Sequence, residues 1–329
     1  MTREGRDIAN KLHASTDCKR FEKLIQSLES QQNELKHKEK LGGFCMVFKQ
    51  IFKKLLIFFI CPFMCFANND WNGSQYSKNS KVQQSQAFFL LKEMELAGEE
   101  KILDIGCGNG KITTDLALLI PEGMVIGLDP SDSMLKEANK LELAQNIKNV
   151  SFRKGYAQNF TFEEKFDIAI SIHVLHWIKE QSESLKNIYY HLIPGGKFYF
   201  IIVPSKEGLP FDRALNKTLI NFKEDFLDFK NNQNVYDLET YRKLIVNAGF
   251  HIEEIRYTYH ITEFDDKTHL TNWIKQWLPH YKFLEERKKE IFIQELMDNY
   301  LIENNLDIHY LGKIQWGEYV FRVNGTRPL

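Results

Sequence analysis

A short apolar run, Lys101–Ile105, ends directly in Gly106-Cys107-Gly108-Asn109-Gly110, and helix-forming residues resume at Lys111. Few folds tolerate a strand that turns into a helix on three glycines. The turn lets a backbone approach a ligand closely, and the helix behind it requires a crossover to the next strand. The rest of the chain repeats that alternation. Met124–Asp129, Val150–Arg153, Phe166–Ile170 and Lys197–Val203 are short β-branched or aromatic runs, and helical stretches such as Ser131–Glu142 and Ser182–His191 separate them. Leu238–Asn247 reads as a helix stopped by Gly249, Phe250–Ile261 as a long strand and Trp316–Val323 as a last strand. This order predicts an α/β domain around a mainly parallel sheet.

The glycine turn by itself does not identify a ligand, because dinucleotide enzymes use one too. The dinucleotide pattern G-x-G-x-x-G fails here, since Lys111 stands where the third glycine belongs. Asp104 lies two positions before the first glycine. A carboxylate there suits a ligand with an ammonium group better than one with a pyrophosphate. The second strand ends in Leu128-Asp129-Pro130-Ser131, where an acidic side chain can accept hydrogen bonds from both hydroxyls of a ribose. The bland alternative for Asp129 is a helix N-cap shared with Ser131.

With these motifs the chain resembles the class I S-adenosylmethionine-dependent methyltransferases over roughly residues 71 to 260. Asp104-Ile105-Gly106-Cys107-Gly108-Asn109-Gly110 is similar to the family's first motif and Asp129 to its second. Phe166-Asp167-Ile168-Ala169-Ile170-Ser171 is similar to the fourth-strand motif, and Leu192-Ile193-Pro194-Gly195-Gly196 to the turn before the fifth strand. The resemblance implies a Rossmann-like, doubly wound, seven-stranded α/β sheet with a helical cap and an N-terminal helical and apolar extension. It implies S-adenosyl-L-methionine as cofactor. Asp104, Gly106, Cys107, Gly108 and Gly110 would take its amino acid part, and Asp129, with Pro130 and Met134, its ribose. Tyr156, Ala157 and Gln158 would take its adenine, and Ser171 would line the site from the fourth strand. Tyr156 departs from the family, which often has an acidic residue there. Ala157 can keep a backbone contact, and the Tyr156 ring can stack on or edge against the purine.

Ile172-His173-Val174-Leu175-His176-Trp177 is similar to the stretch that follows the fourth strand in trans-aconitate, juvenile hormone acid and malonyl-carrier-protein methyltransferases. Upstream, Tyr76 and Asn79-Ser80 followed by Gln83 look like the family's opening helix, and downstream Trp273 through Tyr281 looks like a trans-aconitate methyltransferase segment. Those relatives esterify a carboxylate beneath a helical cap, here expected at about 211–229 and 267–303. A carboxylate acceptor is ionised at neutral pH and needs no general base, whereas a hydroxyl or amine acceptor needs proton removal. His173, His176 and Trp177 are therefore the candidates for positioning the acceptor; ordinary packing is the alternative for each. Arg256, Tyr259 and His260 can orient a carboxylate or form a plain exposed strand face. Trp273 and Trp277 share a helix face, as cap core or pocket wall. The expected activity is O-methylation of a small carboxylic acid or a carrier-bound acyl acid. Methylation of carbon or nitrogen in a quinone, lipid or other metabolite is the alternative within the class, and a non-catalytic cofactor-binding interaction module the alternative outside it.

Composition narrows the remaining possibilities. Lys plus Arg number 43 and Asp plus Glu 44, so no general electrostatic pull toward nucleic acid exists, and no nucleic acid partner is expected. The five cysteines have neither disulfide nor metal-ligand spacing, which is compatible with a reducing cytoplasm. Residues 1–43 are charged, with Phe21, Leu24, Ile25, Leu28 and Leu35 at roughly helical spacing, as a surface helix or a short coiled-coil contact. Residues 44–67 hold the uncharged run Leu55–Ala67 behind Lys49, Lys53 and Lys54. A secretory signal read from Met46, a membrane-surface anchor and a buried helix all remain open for it. Residues 68–329 are assigned to the methyltransferase-like domain.

Overall fold

The computed structural model describes residues 71–205 and 207–329; the readings for residues 1–43 and 44–67 lie outside the described residues. Two helices, α1 (Gly73–Asn79) and α2 (Lys81–Glu93), lead into β1 (Lys101–Ile105). There follow α3 (Lys111–Leu119), β2 (Met124–Asp129), α4 (Asp132–Gln145), β3 (Val150–Lys154), β4 (Phe166–Ile172), a 3-10 turn at Leu175–Trp177, α5 (Gln181–His191) and β5 (Leu192–Ile202). The last part runs through α6 (Pro210–Asn221), α7 (Leu238–Asn247), β6 (His251–Phe264), α8 (Lys267–Trp277), α9 (Pro279–Phe283), α10 (Glu286–Glu303) and β7 (Ile314–Thr326).

The seven strands form one sheet in the order β3-β2-β1-β4-β5-β7-β6. Strands β1 to β5 pair in parallel, and β7 runs antiparallel between β5 and β6. Both faces of the central strands are covered, which is why they read as continuous apolar runs. In β1, Ile102 packs toward Ala87 and Leu90 of α2 and Leu116 of α3. Leu103 and Ile105 pack on the opposite face with Leu185 and Ile188 of α5 and Tyr241 and Ile245 of α7. Helices on both faces and a doubly wound order put the ligand crevice at the carboxyl ends of β1, β2 and β4, where the strand order reverses.

Strands β3 and β4 run one and two residues past their expected ends, and β5, β6 and β7 differ more in extent from the reading of their sequences. Strand β5 begins at Leu192 rather than Lys197, because Leu192 pairs with Phe166 across a bulge before the regular ladder starts at Lys197. Strands β6 and β7 continue to Phe264 and start at Ile314, beyond the expected limits at Ile261 and Trp316. Strand β5 pairs with β7 only from Phe321 to Thr326. The ladder between β6 and β7 goes on to Phe264 opposite Ile314. The two strands thus leave the sheet as a two-stranded ribbon, with Tyr259, Ile261, Glu263 and Gln315 exposed on one face and Thr262, Phe264, Ile314 and Trp316 buried on the other.

That ribbon carries the cap. Phe264, Ile314 and Trp316 join Phe211 and Ala214 of α6, Leu270, Trp273 and Ile274 of α8 and Phe292, Leu296 and Tyr300 of α10 in a second apolar core. Trp316 lies at its centre, with ring centroids 4.9 Å from Phe211, 4.8 Å from Trp273 and 5.8 Å from Tyr300. A two-stranded ribbon is marginal in water without such packing. Trp316→Ala is therefore expected to cost about 3 to 5 kcal/mol. Ile261→Thr, at a position 51% exposed on the same ribbon, should change stability by less than about 0.5 kcal/mol. Equilibrium denaturation of the two variants side by side checks both.

Candidate active site

The glycine turn is held by β2. Gly106 N–H and Cys107 N–H both donate to the Leu128 carbonyl, at 2.7 and 3.1 Å, and Gly110 N–H donates to the Cys107 carbonyl. Gly108 N–H donates to Asp129 Oδ2 at 2.9 Å. Four of the turn's N–H groups therefore point into the protein, not outward as in a phosphate nest. Gly106 and Gly110 have φ of 74° and 75°. A side chain at Gly106 would strike Val174, and one at Gly110 would strike Phe152 and Ala138. These glycines bring the turn within reach of its neighbours at no steric cost.

Two buried carboxylates flank the turn. Asp104 accepts from the Thr113 hydroxyl at 2.6 Å. Burial lifts its pKa to about 7; the Thr113 bond opposes that rise and the nearby Asp129 adds to it. Asp129 Oδ1 also accepts from Ser131 N–H at 2.9 Å, so burial raises this carboxyl against the pull of two N–H donors. The helix-cap alternative is partly realised: Ser131 itself caps α4 through Met134 N–H. Each Asp129 oxygen keeps acceptor capacity beyond its one N–H bond.

Helix α1 roofs the turn. Asn109 donates to Ser77 Oγ at 3.1 Å, and Gly73 N–H donates to Ser133 Oγ at 3.2 Å. Tyr76 is set near both carboxylates, and its phenol pKa is raised by burial first and by Asp129 and Asp104 next. Beneath it lies a cleft lined by Asp104, Gly106, Gly108, Gln83 and Ile172 among others. Tyr156 follows β3, 47% exposed; the preceding Gly155 N–H donates to the Asp129 carbonyl, which sets this loop beside Asp129. Ala157 is buried and Gln158 partly so. Pro130 is exposed, Met134 buried, and Cys107 is a buried free thiol. Ser171 is fully buried and donates to the Ile105 carbonyl at 3.2 Å, tying β4 to the end of β1.

The end of β4 gathers titratable groups from four elements. His173 stands in the left-handed region at φ 58°, a strained conformation for a non-glycine residue that occurs most often at functional sites. Its Nε2 bonds Gln86 Oε1 at 2.9 Å, and Gln86 Nε2 donates to Glu318 Oε1. Glu318 lies 3.9 Å from His173 and pairs across the ribbon with His260, whose Nε2 bonds Ser85 Oγ at 3.1 Å. Burial drives these groups toward neutrality. It lowers His173 to about 4, helped by His260, and lifts Glu318 to about 7. His176 is pushed well down by burial and by His173, and its Nδ1 accepts from Val203 N–H at 3.4 Å. Trp177 packs edge-on to Trp71, with ring centroids 5.5 Å apart.

The other candidates are placed more simply. Arg256 is ion-paired with Glu254 and Glu93, and Tyr259 packs on Tyr319 at the surface. Trp273 is cap core whose Nε1 donates to Gln83 at 3.3 Å. Trp277 packs against it at 5.3 Å. Gln86 and Glu318 lie beside these groups although sequence pattern does not single them out, because polar residues on an otherwise amphipathic helix and strand read as surface.

Comparison with known proteins matches residues 96–275 to the model of a methyltransferase domain. A protein of Invertebrate iridescent virus 6, provisionally named methyltransferase 235L, is 31% identical over 237 residues, 70% of this chain and 85% of its own length. The trans-aconitate 2-methyltransferase of Deinococcus radiodurans is 30% identical over 48% of this chain and 59% of its own length. The malonyl-[acyl-carrier protein] O-methyltransferase of Bacillus cereus is 30% identical over 40% of this chain and 49% of its own length. The fold is shared with the YcgJ protein of Bacillus subtilis, at a TM-score of 0.53 and 17% identity, covering 75% of this chain and 99% of that one.

The buried Glu318 makes stability depend on pH. Its folded pKa, about 7, lies above the ordinary carboxyl value of 4.5. Its contribution is therefore full below pH 4.5 and is lost as pH rises through about 7. His173, lowered from 6.5 to about 4, acts in the opposite sense below pH 6.5 but is common to parent and variant. Glu318→Gln should gain stability relative to the parent on going from about pH 5 to about pH 8. Urea midpoints measured at both pH values decide this, and an unchanged difference would remove the assignment.

Proposed function

The chain belongs to the class I S-adenosylmethionine-dependent methyltransferases, and from that premise we propose that it transfers the methyl group to a carboxylate oxygen of a small acid or of an acyl group on a carrier. The observation that supports this acceptor is the state of the two histidines at the end of β4. Both are held neutral by burial, His173 with a pKa of about 4, and His176 has its Nδ1 committed to Val203. Imidazoles of such low basicity are poor at taking a proton from a hydroxyl. An acceptor that arrives ionised needs none removed. Relatives named for methylating trans-aconitate and malonyl-carrier protein support the same class.

The cleft fits the cofactor. A carboxylate at Asp104 suits an ammonium group and one at Asp129 suits vicinal hydroxyls, while the turn between them offers no run of outward N–H groups for a pyrophosphate. When bound, the cofactor supplies a sulfonium methyl group for in-line displacement. The chain's own part is to orient and to exclude water. Asp104 and Asp129 hold one reactant at the glycine turn, and Tyr76 closes that end. The cap, carried on the ribbon, covers the other end. Among the described residues, no helix is long and apolar enough to cross a membrane; membrane contact through residues 44–67 belongs to the segment outside them.

A second reading rests on Glu318. A buried carboxyl with a pKa of about 7, linked through Gln86 to His173, is a plausible proton acceptor for a hydroxyl, amine or acidic carbon. The two readings separate on the product. Incubation with labelled cofactor and a cell extract should give a labelled product whose methyl group is released by mild base. A hydrolysis-resistant label would replace the carboxylate by the second reading.

Two further outcomes concern the cofactor. Asp129→Ala should weaken its binding by about 30-fold or more, as expected for losing charge-assisted hydrogen bonds of about 2 kcal/mol or more. Affinity in the parent should fall as pH drops below about 7, because Asp104 must then give up a proton to meet an ammonium. Asp104→Asn should flatten that profile. Calorimetric titration across this pH range measures both.

A further inference from the structure

The cap contains one lysine treated differently from its neighbours. Lys267 is paired with Asp298, Lys275 with Glu290, Lys288 with Asp225 and Lys289 with Glu286. Lys282, on α9, has no carboxylate within ion-pair distance among the described residues. Its Nζ lies instead on the face of Trp71, 4.2 Å from the ring centroid. The Trp71 ring meets Trp177 edge-on at 5.5 Å and Tyr76 at 5.8 Å. Tyr76 in turn borders Gly108 and the two carboxylates of the turn. Ring contacts therefore link the glycine turn, through Tyr76, Trp71 and Trp177, the residue that follows His176, to an ammonium group with no carboxylate beside it among the described residues. His280, two residues away and packed on Phe229, is itself kept neutral by burial.

We propose that Lys282, seated on Trp71, binds an anionic group of the methyl acceptor remote from the atom that is methylated. The inference rests on the acid-acceptor reading and deepens it, since it makes the preferred acceptor an acid with a second negative charge. Removing an ammonium group from water without a partner is unfavourable, and an indole face offsets only part of that. Burial draws Lys282 down to about 8, so an arriving anion meets a cation with no carboxylate beside it among the described residues. The ion-paired lysines of the cap cannot serve, because an anion binding there must first displace a carboxylate.

The test is direct binding to the full chain, in the presence of S-adenosylhomocysteine. Dicarboxylates from succinate to suberate are titrated calorimetrically, each beside the monocarboxylate of equal length. The parent should bind at least one dicarboxylate about tenfold or more tightly than its monocarboxylate, in keeping with a charge-assisted contact. Lys282→Met should abolish that preference while leaving monocarboxylate and S-adenosylhomocysteine binding unchanged. Lys282→Arg should retain part of it, and Lys275→Met all of it. No preference in the parent, or a preference that survives Lys282→Met, overturns the proposal. If dicarboxylates bind through Lys282 but none becomes a methyl ester, the subsite stands and the acceptor reading fails.

Discussion

Everything at this site depends on how the glycine turn is fastened to its neighbouring strand. The Leu128 carbonyl receives two N–H bonds from the turn, and the Asp129 carboxylate one from Gly108. A side chain at Gly127, one position before Leu128, would collide with Phe152 and Cys107, so β2 is also shaped to admit the turn. This fastening spends the turn's donors inside the protein. What the turn presents to a ligand is then its flanking carboxylates. A glycine-rich turn whose N–H groups faced outward would favour phosphate; this one favours a ligand with cationic and hydroxyl groups. The distinction between two large classes of nucleotide-like ligands thus reduces to where four N–H groups point.

The second constraint is the pairing of β6 with β7 beyond the end of β5. A sheet that stopped where β5 stops would leave the cap helices without a common surface. The ribbon extends the sheet past the crevice and ends in Phe264, Ile314 and Trp316, against which α6, α8 and α10 converge. The same ribbon places Glu318 beside Gln86 and His173. Roof and buried polar cluster are therefore built by one element, and an alteration that shortened the ribbon would disturb both.

The parallel sheet, the glycine turn and the order of strands were legible in the sequence because each depends on local pattern: β-branched runs, glycines at a turn, helices between. Helix α7 from Leu238 to Asn247 has the limits its sequence implies. The extents of β5, β6 and β7 were not, since they are set by pairing with strands distant in the chain. The same holds for the site. Asp104 and Asp129 stand out through their spacing from the glycines. Gln86 and Glu318 do not, since nothing local distinguishes a glutamine on a helix or a glutamate on an exposed-looking strand from surface residues. Their importance comes from contacts 87 and 232 positions apart in the chain. His173 was visible as a candidate, but its left-handed backbone and its neutral state follow only from its surroundings.

The distribution of charge gives the site a direction. At the glycine end, Asp104 and Asp129 sit in low-dielectric surroundings, and a cation there would lower both pKa values toward the ionised form. At the cap end lies Lys282, partly buried and without a carboxylate beside it among the described residues. Near them the histidines are neutral, and burial raises Glu318 to about 7. On the proposed reading, a cationic donor would be drawn to the two carboxylates and an anionic acceptor to Lys282. The reversed arrangement would set like charges together at both ends, with little water to screen them. The polarity that selects the partners would then also orient them.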